Sequence, residues 1–216
     1  MAKLASSFRN MFLSLGSICL VAGGILAAVN DITREPIAVS KKAKLESALK
    51  GVLPDFDNSP TEEAYWVGLA EGDSLKVYPA TSNGQWVGTA IESHSMKGFS
   101  GLIRVIAGFD NQGKLINYKV LEHAETPGLG SKMDEWFRTD KNRQSVLGKD
   151  LSHGPLKVTK DQGEIDAITG ATISSRAFLD ALNRAYAAYS GNRADAASGT
   201  TDAVSGATNQ EKGGQQ

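Results

Sequence analysis

With one cysteine, Cys19, among 216 residues, the chain cannot build a disulfide framework. Nor can it hold a conventional iron–sulfur cluster by itself, because such clusters draw on several thiolates. A Cys-x-x-Cys-His haem attachment site is absent for the same reason. Cys19 follows Ser17 and Ile18 rather than a lipoprotein pattern, and it reads as a buried or lipid-facing thiol. Histidine is almost as scarce. His94 and His153 lack the spacing to cysteines or carboxylates that a metal centre needs, so no metal is assigned. A net charge of -1 leaves no basic field for nucleic acid, and Lys41, Lys42 and Lys44 fit one face of a helix. The sequence contains neither a dinucleotide fingerprint nor a P-loop.

One long stretch lacks charge altogether. Residues 11–29 are mostly Phe, Leu, Ile, Val, Ala and Gly, enough as a helix to cross a hydrocarbon core of about 30 Å. A cleaved signal peptide is the rival reading, since Lys3 and Arg9 come before the run and Ala27 and Ala28 end it. The run is longer than an ordinary signal core, and Ile25 or Leu26 would fall where a small residue is needed, so we expect an uncleaved transmembrane helix in lipid. Basic residues do not orient it: Lys3 and Arg9 lie before it, Arg34, Lys41, Lys42 and Lys44 after it.

The remainder suffices for one domain of ordinary size. After Pro36, Leu45, Ala48, Leu49, Val52 and Leu53 recur at helical spacing, with Gly51 and Pro54 as stop signals, which predicts a juxtamembrane helix and a connection over 30–74. The pattern then becomes strand-like: Leu75 and Val77; Trp86, Val87, Thr89 and Ile91; 102–109; and 115–121, with Asp110-Asn-Gln-Gly113 as a hairpin turn. A short helix is expected at 133–137, a strand at 156–158 and a closing helix at 175–189. The fold class is α+β, with an antiparallel or mixed sheet and packed helices. Trp86, Phe99 and Trp136 are expected in packing roles.

Two stretches carry chemistry. In Asp166-Ala-Ile-Thr169-Gly170-Ala171-Thr172, followed by Ile173-Ser174-Ser175, small and hydroxyl-bearing residues open an amphipathic helix marked by Phe178, Ala181, Leu182, Ala185, Tyr186 and Tyr189. A helix start leaves N–H groups unpaired and carries positive potential, so it suits phosphate, while Gly170 and Ala171 leave Thr172 accessible. From residue types alone, an N-cap at Thr172 or Ser174 is the plainer account. The second stretch is His123-Ala-Glu125-Thr126-Pro127-Gly128-Leu129-Gly130, where proline stiffens the backbone and glycines admit a flat ligand. Taken alone it is an ordinary proline–glycine turn, and His123 is either a residue that contacts and tunes a bound ligand or, more plainly, a hydrogen-bonded structural histidine.

Together these motifs, in this order and separation, resemble those of the FMN-binding subunits of two related bacterial respiratory complexes. One is the RnfG-type subunit of the Rnf complex, and the other is its counterpart in the sodium-pumping NADH:quinone reductase. The similarity runs from the apolar segment to about Tyr189. The resemblance implies FMN joined covalently to Thr172 as a phosphoester by a flavin transferase, within a motif that includes Asp166, Thr169, Gly170, Ala171, Ser174 and Ser175. It also implies that Thr126, Gly128 and Leu129 contact the flavin, with Glu125 as a polar contact, in an FMN-binding domain over 75–189. Residues 1–10 would be cytoplasmic and the domain periplasmic. The compact length and the Thr-Gly-Ala-Thr-Ile-Ser-Ser run favour the Rnf type over the quinone-reductase type. The protein would then be an electron-transfer subunit with no catalytic acid of its own, working with the other membrane subunits of a translocating oxidoreductase. A membrane-anchored binding or sensory module, with Thr172 only a cap, is the reading from another class.

Beyond Tyr189 the composition turns to Ser, Gly, Asn, Ala, Thr and Gln, and disorder is expected over 190–216. Asp202-Ala-Val-Ser-Gly-Ala-Thr208 repeats the attachment pattern without a helix to follow it. Thr208 is therefore a candidate second flavin site, set against a low-complexity duplication that carries none.

Overall fold

The computed structural model describes residues 8–69 and 72–198. It divides into two compact units, 1–47 and 48–216.

Helix α1, Phe8–Val52, crosses the sequence boundary between the units and contains Pro36. It is long and apolar enough to cross a membrane, and its apolar side chains over 11–29, such as Phe12 and Leu20, are uncovered. The sequence predicted two helices, one at 11–29 and a juxtamembrane one after Pro36. The structure has one, because a proline removes a single backbone donor and the Ala-, Lys- and Leu-rich residues after it resume the ladder.

Among the described residues of the second unit, five strands follow in chain order as an antiparallel meander: β1 Tyr65–Gly68, β2 Ser74–Ser82, β3 Gln85–Gly98, β4 Gly101–Phe109 and β5 Leu115–His123. Pairing Val77 with Ile91, Ile91 with Ala107 and Ala107 with Tyr118 lines up one apolar row across the sheet. Side chains alternate between faces along a strand, so this row faces a single layer. That layer is α3, Thr172–Ser198, whose Phe178 stacks on Phe137 at 4.6 Å and meets Tyr118 edge-on at 4.8 Å. Tyr118, buried beneath, gives its hydroxyl proton to the Met133 carbonyl at 2.7 Å, and that burial raises its pKa well above the ordinary tyrosine value.

The other face receives the last turn of α1, where Ala48, Leu49 and Val52 are buried. Contact there is backbone to backbone: a Cβ at Gly108 of β4 would lie 1.9 Å from the Val52 carbonyl oxygen. Asn117 Nδ2 donates to the Gly51 carbonyl at 2.8 Å, using one of the acceptors a helix end leaves free.

The hairpin at 110–113 forms as predicted, with Asp110 Oδ1 accepting from Gln112 and Lys114 N–H. The helix at 133–137 is α2, Met133–Trp136, entered through a 3-10 turn at Gly130–Lys132. No strand forms at 156–158; a single parallel bridge joins Val158 to Ile165. Asn183 takes the place of a neighbouring strand there, accepting from Leu156 N–H and donating to its carbonyl. Four-residue β1, too short for periodicity to reveal, was read as connection. Finally, α3 continues to Ser198 rather than giving way to disorder at Ser190, as Ala194, Ala196 and Ala197 favour helix. The second motif and Thr208 lie outside the described residues.

Candidate functional site

The site forms where three segments converge: the β3–β4 turn, the loop after β5 and the first turn of α3. Glu125 holds them together. It is 4% exposed, its Oε1 accepts from Ser100 N–H at 3.0 Å and its Oε2 from Ser174 Oγ at 2.6 Å. Its own N–H donates to His123 Nδ1 at 3.2 Å, which is the hydrogen bond expected of a structural histidine. Gly130 must be glycine for this approach, because a Cβ would lie 2.6 Å from Ser174 Oγ and 2.7 Å from Glu125 Oε2. Both carboxylate oxygens are therefore engaged inside the protein. Glu125 lines the cleft as a support more than as a free polar group.

The loop is tightened from within. Leu129 N–H donates to the Thr126 carbonyl at 3.2 Å and Gly128 N–H to Ser131 Oγ at 2.9 Å. Thr126, Gly128 and Leu129 consequently stand exposed on its outer side.

The hydroxyls at the start of α3 divide by role. Ser175, buried, donates to the Ala171 carbonyl and accepts from Ile168 N–H, both at 2.9 Å, which fixes the turn that precedes the helix. Ser174 is spent on Glu125. Thr172, half-buried, is the first helical residue, and its Oγ1 accepts from Lys160 Nζ at 3.2 Å. Gly170 turns the chain at φ +78°, a backbone state that costs an L side chain energy.

Two clefts meet at Thr172. One, of about 340 Å³, is walled by Phe99, Leu129 and Ile173, with Glu125 and Thr126 beside them. Its three apolar walls are exposed: Phe99 68%, Leu129 42% and Ile173 49%. The other, of about 400 Å³, is polar, lined by Asn142, Gln144, Asp166 and Thr169 with Trp136. Lys160, Gly170 and Thr172 belong to both. Asp166 is turned toward Arg143, accepting from its N–H at 3.3 Å, while the Asp166 carbonyl accepts from Trp136 Nε1 at 2.9 Å. It braces the 142–144 segment.

Phe99 and Lys160 are among the cleft residues that escaped the sequence. Phe99, assigned to packing, sits at the tip of the tight β3–β4 turn with most of its ring in solvent. Its signal was present, since an aromatic between glycines in Gly98-Phe-Ser-Gly101 has little core to enter. Lys160 gave no local signal; it arrives on the 3-10 turn Thr159–Asp161. That turn is clamped to α3, with Arg176 Nη2 and Nε donating to the two oxygens of Asp161 at 2.6 and 2.7 Å. The Arg176 guanidinium holds the Asp161 carboxyl below the usual carboxylate range. Of the remaining histidines, His94 Nε2 lies 3.2 Å from Asp73, which also pairs with Arg184, and His153, exposed, lies 3.4 Å from Asp150.

An apolar cleft with flat walls, a threonine hydroxyl at its mouth and an ammonium beside it fits a flavin phosphate. Residues 98–187 match the FMN-binding domain family. The G subunit of the ion-translocating oxidoreductase complex of Vibrio vulnificus is 35% identical over 187 residues, which are 83% of this chain and 88% of that protein. The same subunit of Photorhabdus laumondii is 34% identical over 190 residues, 84% and 90% of the two chains. That of Shewanella amazonensis is 33% identical over 193 residues, 85% and 88%. With a membrane-anchoring helix, an α+β FMN-binding domain and relatives of this likeness over most of its length, the chain belongs to the family formed by the G subunits of ion-translocating oxidoreductase complexes.

Proposed function

We propose that Thr172 carries FMN through a phosphoester, placed there by a flavin transferase, and that the protein relays electrons as the flavin subunit of a membrane-bound Rnf-type complex. Such a complex links ferredoxin and NAD oxidation states to the movement of sodium ions or protons. The observation that carries the reading is the division of hydroxyls: Ser174 and Ser175 are committed to the interior, whereas the Thr172 hydroxyl opens onto the clefts.

Bound FMN accepts and releases electrons singly or in pairs. The chain's own part is placement. Phe99, Leu129 and Ile173 offer apolar walls to a flat ring and exclude water from it. Unpaired N–H groups at the start of α3 favour a phosphate at Thr172. Glu125 keeps the walls and the attachment point in register through Ser100 and Ser174. A buried bracket of this kind limits motion of the ring, which an electron relay needs more than it needs a proton donor.

The helical segment 11–29 would lie in the lipid of the bacterial cytoplasmic membrane, with 1–10 cytoplasmic and the FMN domain periplasmic. We assign the flavin to Thr172 rather than Thr208, since the latter motif has no amphipathic run after it. The experiment is to coexpress the full chain with an active transferase and record flavin fluorescence on a denaturing gel. Fluorescence in the wild-type band and none in Thr172→Ala is expected. A colourless wild-type chain would overturn covalent attachment and favour the membrane-anchored binding module.

A further inference from the structure

Lys160 carries a charge that helps to depress the Asp161 carboxyl without making an ion pair to it. Its chain neighbour Asp161 gives both oxygens to Arg176, and among the described residues Lys160 makes no ion pair. Its Nζ points instead at a neutral hydroxyl, Thr172 Oγ1, at 3.2 Å. Holding a long, flexible cation on one alcohol costs side-chain entropy for a weak return. The same placement gains greatly if that alcohol oxygen becomes an ester of an anionic phosphate, because charge-assisted hydrogen bonds are about twice as strong as neutral ones. Lys160 also stands on the ridge shared by the apolar and the polar cleft, so a group attached at Thr172 emerges beside it whichever way it leans.

We propose that Lys160 is a phosphate-binding residue, its ammonium pairing with the phosphodiester borne by Thr172, and that the Asp161–Arg176 pair is a positioning clamp that keeps the 3-10 turn over the start of α3. The inference rests on the reading that Thr172 is the attachment point.

The test is phosphorus-31 NMR of the flavin-loaded full chain in detergent, with the denatured chain as the reference for a phosphodiester free of protein contacts. The native wild-type resonance should be displaced from that reference. Lys160→Gln should lose most of the displacement, Lys160→Arg should retain it, and Asp161→Asn should show a partial loss. If Lys160→Gln folds with an unchanged melting temperature but fails to load, loading of Lys160→Arg shows that the charge is what matters. A native Lys160→Gln resonance equal to wild type, or folded Gln and Arg variants that both fail to load, overturns the proposal. Covalent flavin that persists in Thr172→Ala overturns the attachment reading instead, so the two failures are told apart.

Discussion

Ser174 Oγ donates a 2.6 Å hydrogen bond to Glu125 Oε2, a buried contact between residues 49 positions apart in the chain. One link thereby fastens the loop after β5 to the first turn of α3. The second oxygen of the same carboxylate, bound to Ser100 N–H, brings in the turn that carries Phe99.

Ser174→Ala leaves a buried carboxylate oxygen without its donor. Such a loss costs roughly 1–3 kcal/mol, so the chemical-denaturation midpoint of the domain should fall with little change in slope. Flavin attachment should also slow, because Thr172 is two residues from the broken contact. Glu125→Gln should be at least as costly, because the amide keeps one acceptor oxygen and sets its NH2, which can only donate, against the other donor.

Gly130 and Gly128 separate steric from conformational requirements. At Gly130 a methyl group meets Ser174 and Glu125 within 3 Å, so Gly130→Ala should destabilise by about 1–3 kcal/mol through overpacking. Gly128 has open space but φ +77°, and Gly128→Ala should cost only about 1–2 kcal/mol in backbone strain. Only the first should disturb the Glu125 bracket, visible as altered chemical shifts of the Ser100 and Ser174 amides.

Phe99→Ala should barely change stability, by about 0.5 kcal/mol or less as at other exposed positions. Its effect belongs to the flavin: loss of an aromatic wall should raise flavin fluorescence and shift its visible absorption bands. Unchanged spectra would place the ring elsewhere.

The Asp161–Arg176 pair gives a pH dependence of defined sign. Arg176 depresses the folded-state pKa of Asp161, so its stabilising contribution is present above the unfolded value of about 3.9 and is lost as pH falls through the lower folded value. The pair is exposed, so the effect is small and weakens with salt. An NMR titration should find Asp161 ionising below an ordinary aspartate, and Arg176→Gln should return it toward the ordinary value.

What could be read in advance follows from how local each signal is. The attachment stretch and the 125–130 loop were legible because their residue types lie together, as was the hairpin at 110–113. Local reading missed the role of Glu125, whose partners Ser100 and Ser174 come from distant segments. Lys160 was invisible for the same reason, reaching Thr172 only through the clamp on α3. The helix between the apolar segment and the juxtamembrane run, and the helix beyond Ser190, went unread because neither stretch carries apolar periodicity, although the backbone ladder continues through both.

Tryptic cleavage after Lys160, Arg176, Arg193 and Lys212 puts Thr172 in peptide 161–176 and Thr208 in peptide 194–212. Mass spectrometry of these two peptides, from the full chain coexpressed with a flavin transferase, tests the central claim directly. We predict one FMN phosphoester, located on Thr172 of peptide 161–176, with 194–212 unmodified. An unmodified 161–176 peptide, whether or not 194–212 carries flavin, would contradict it.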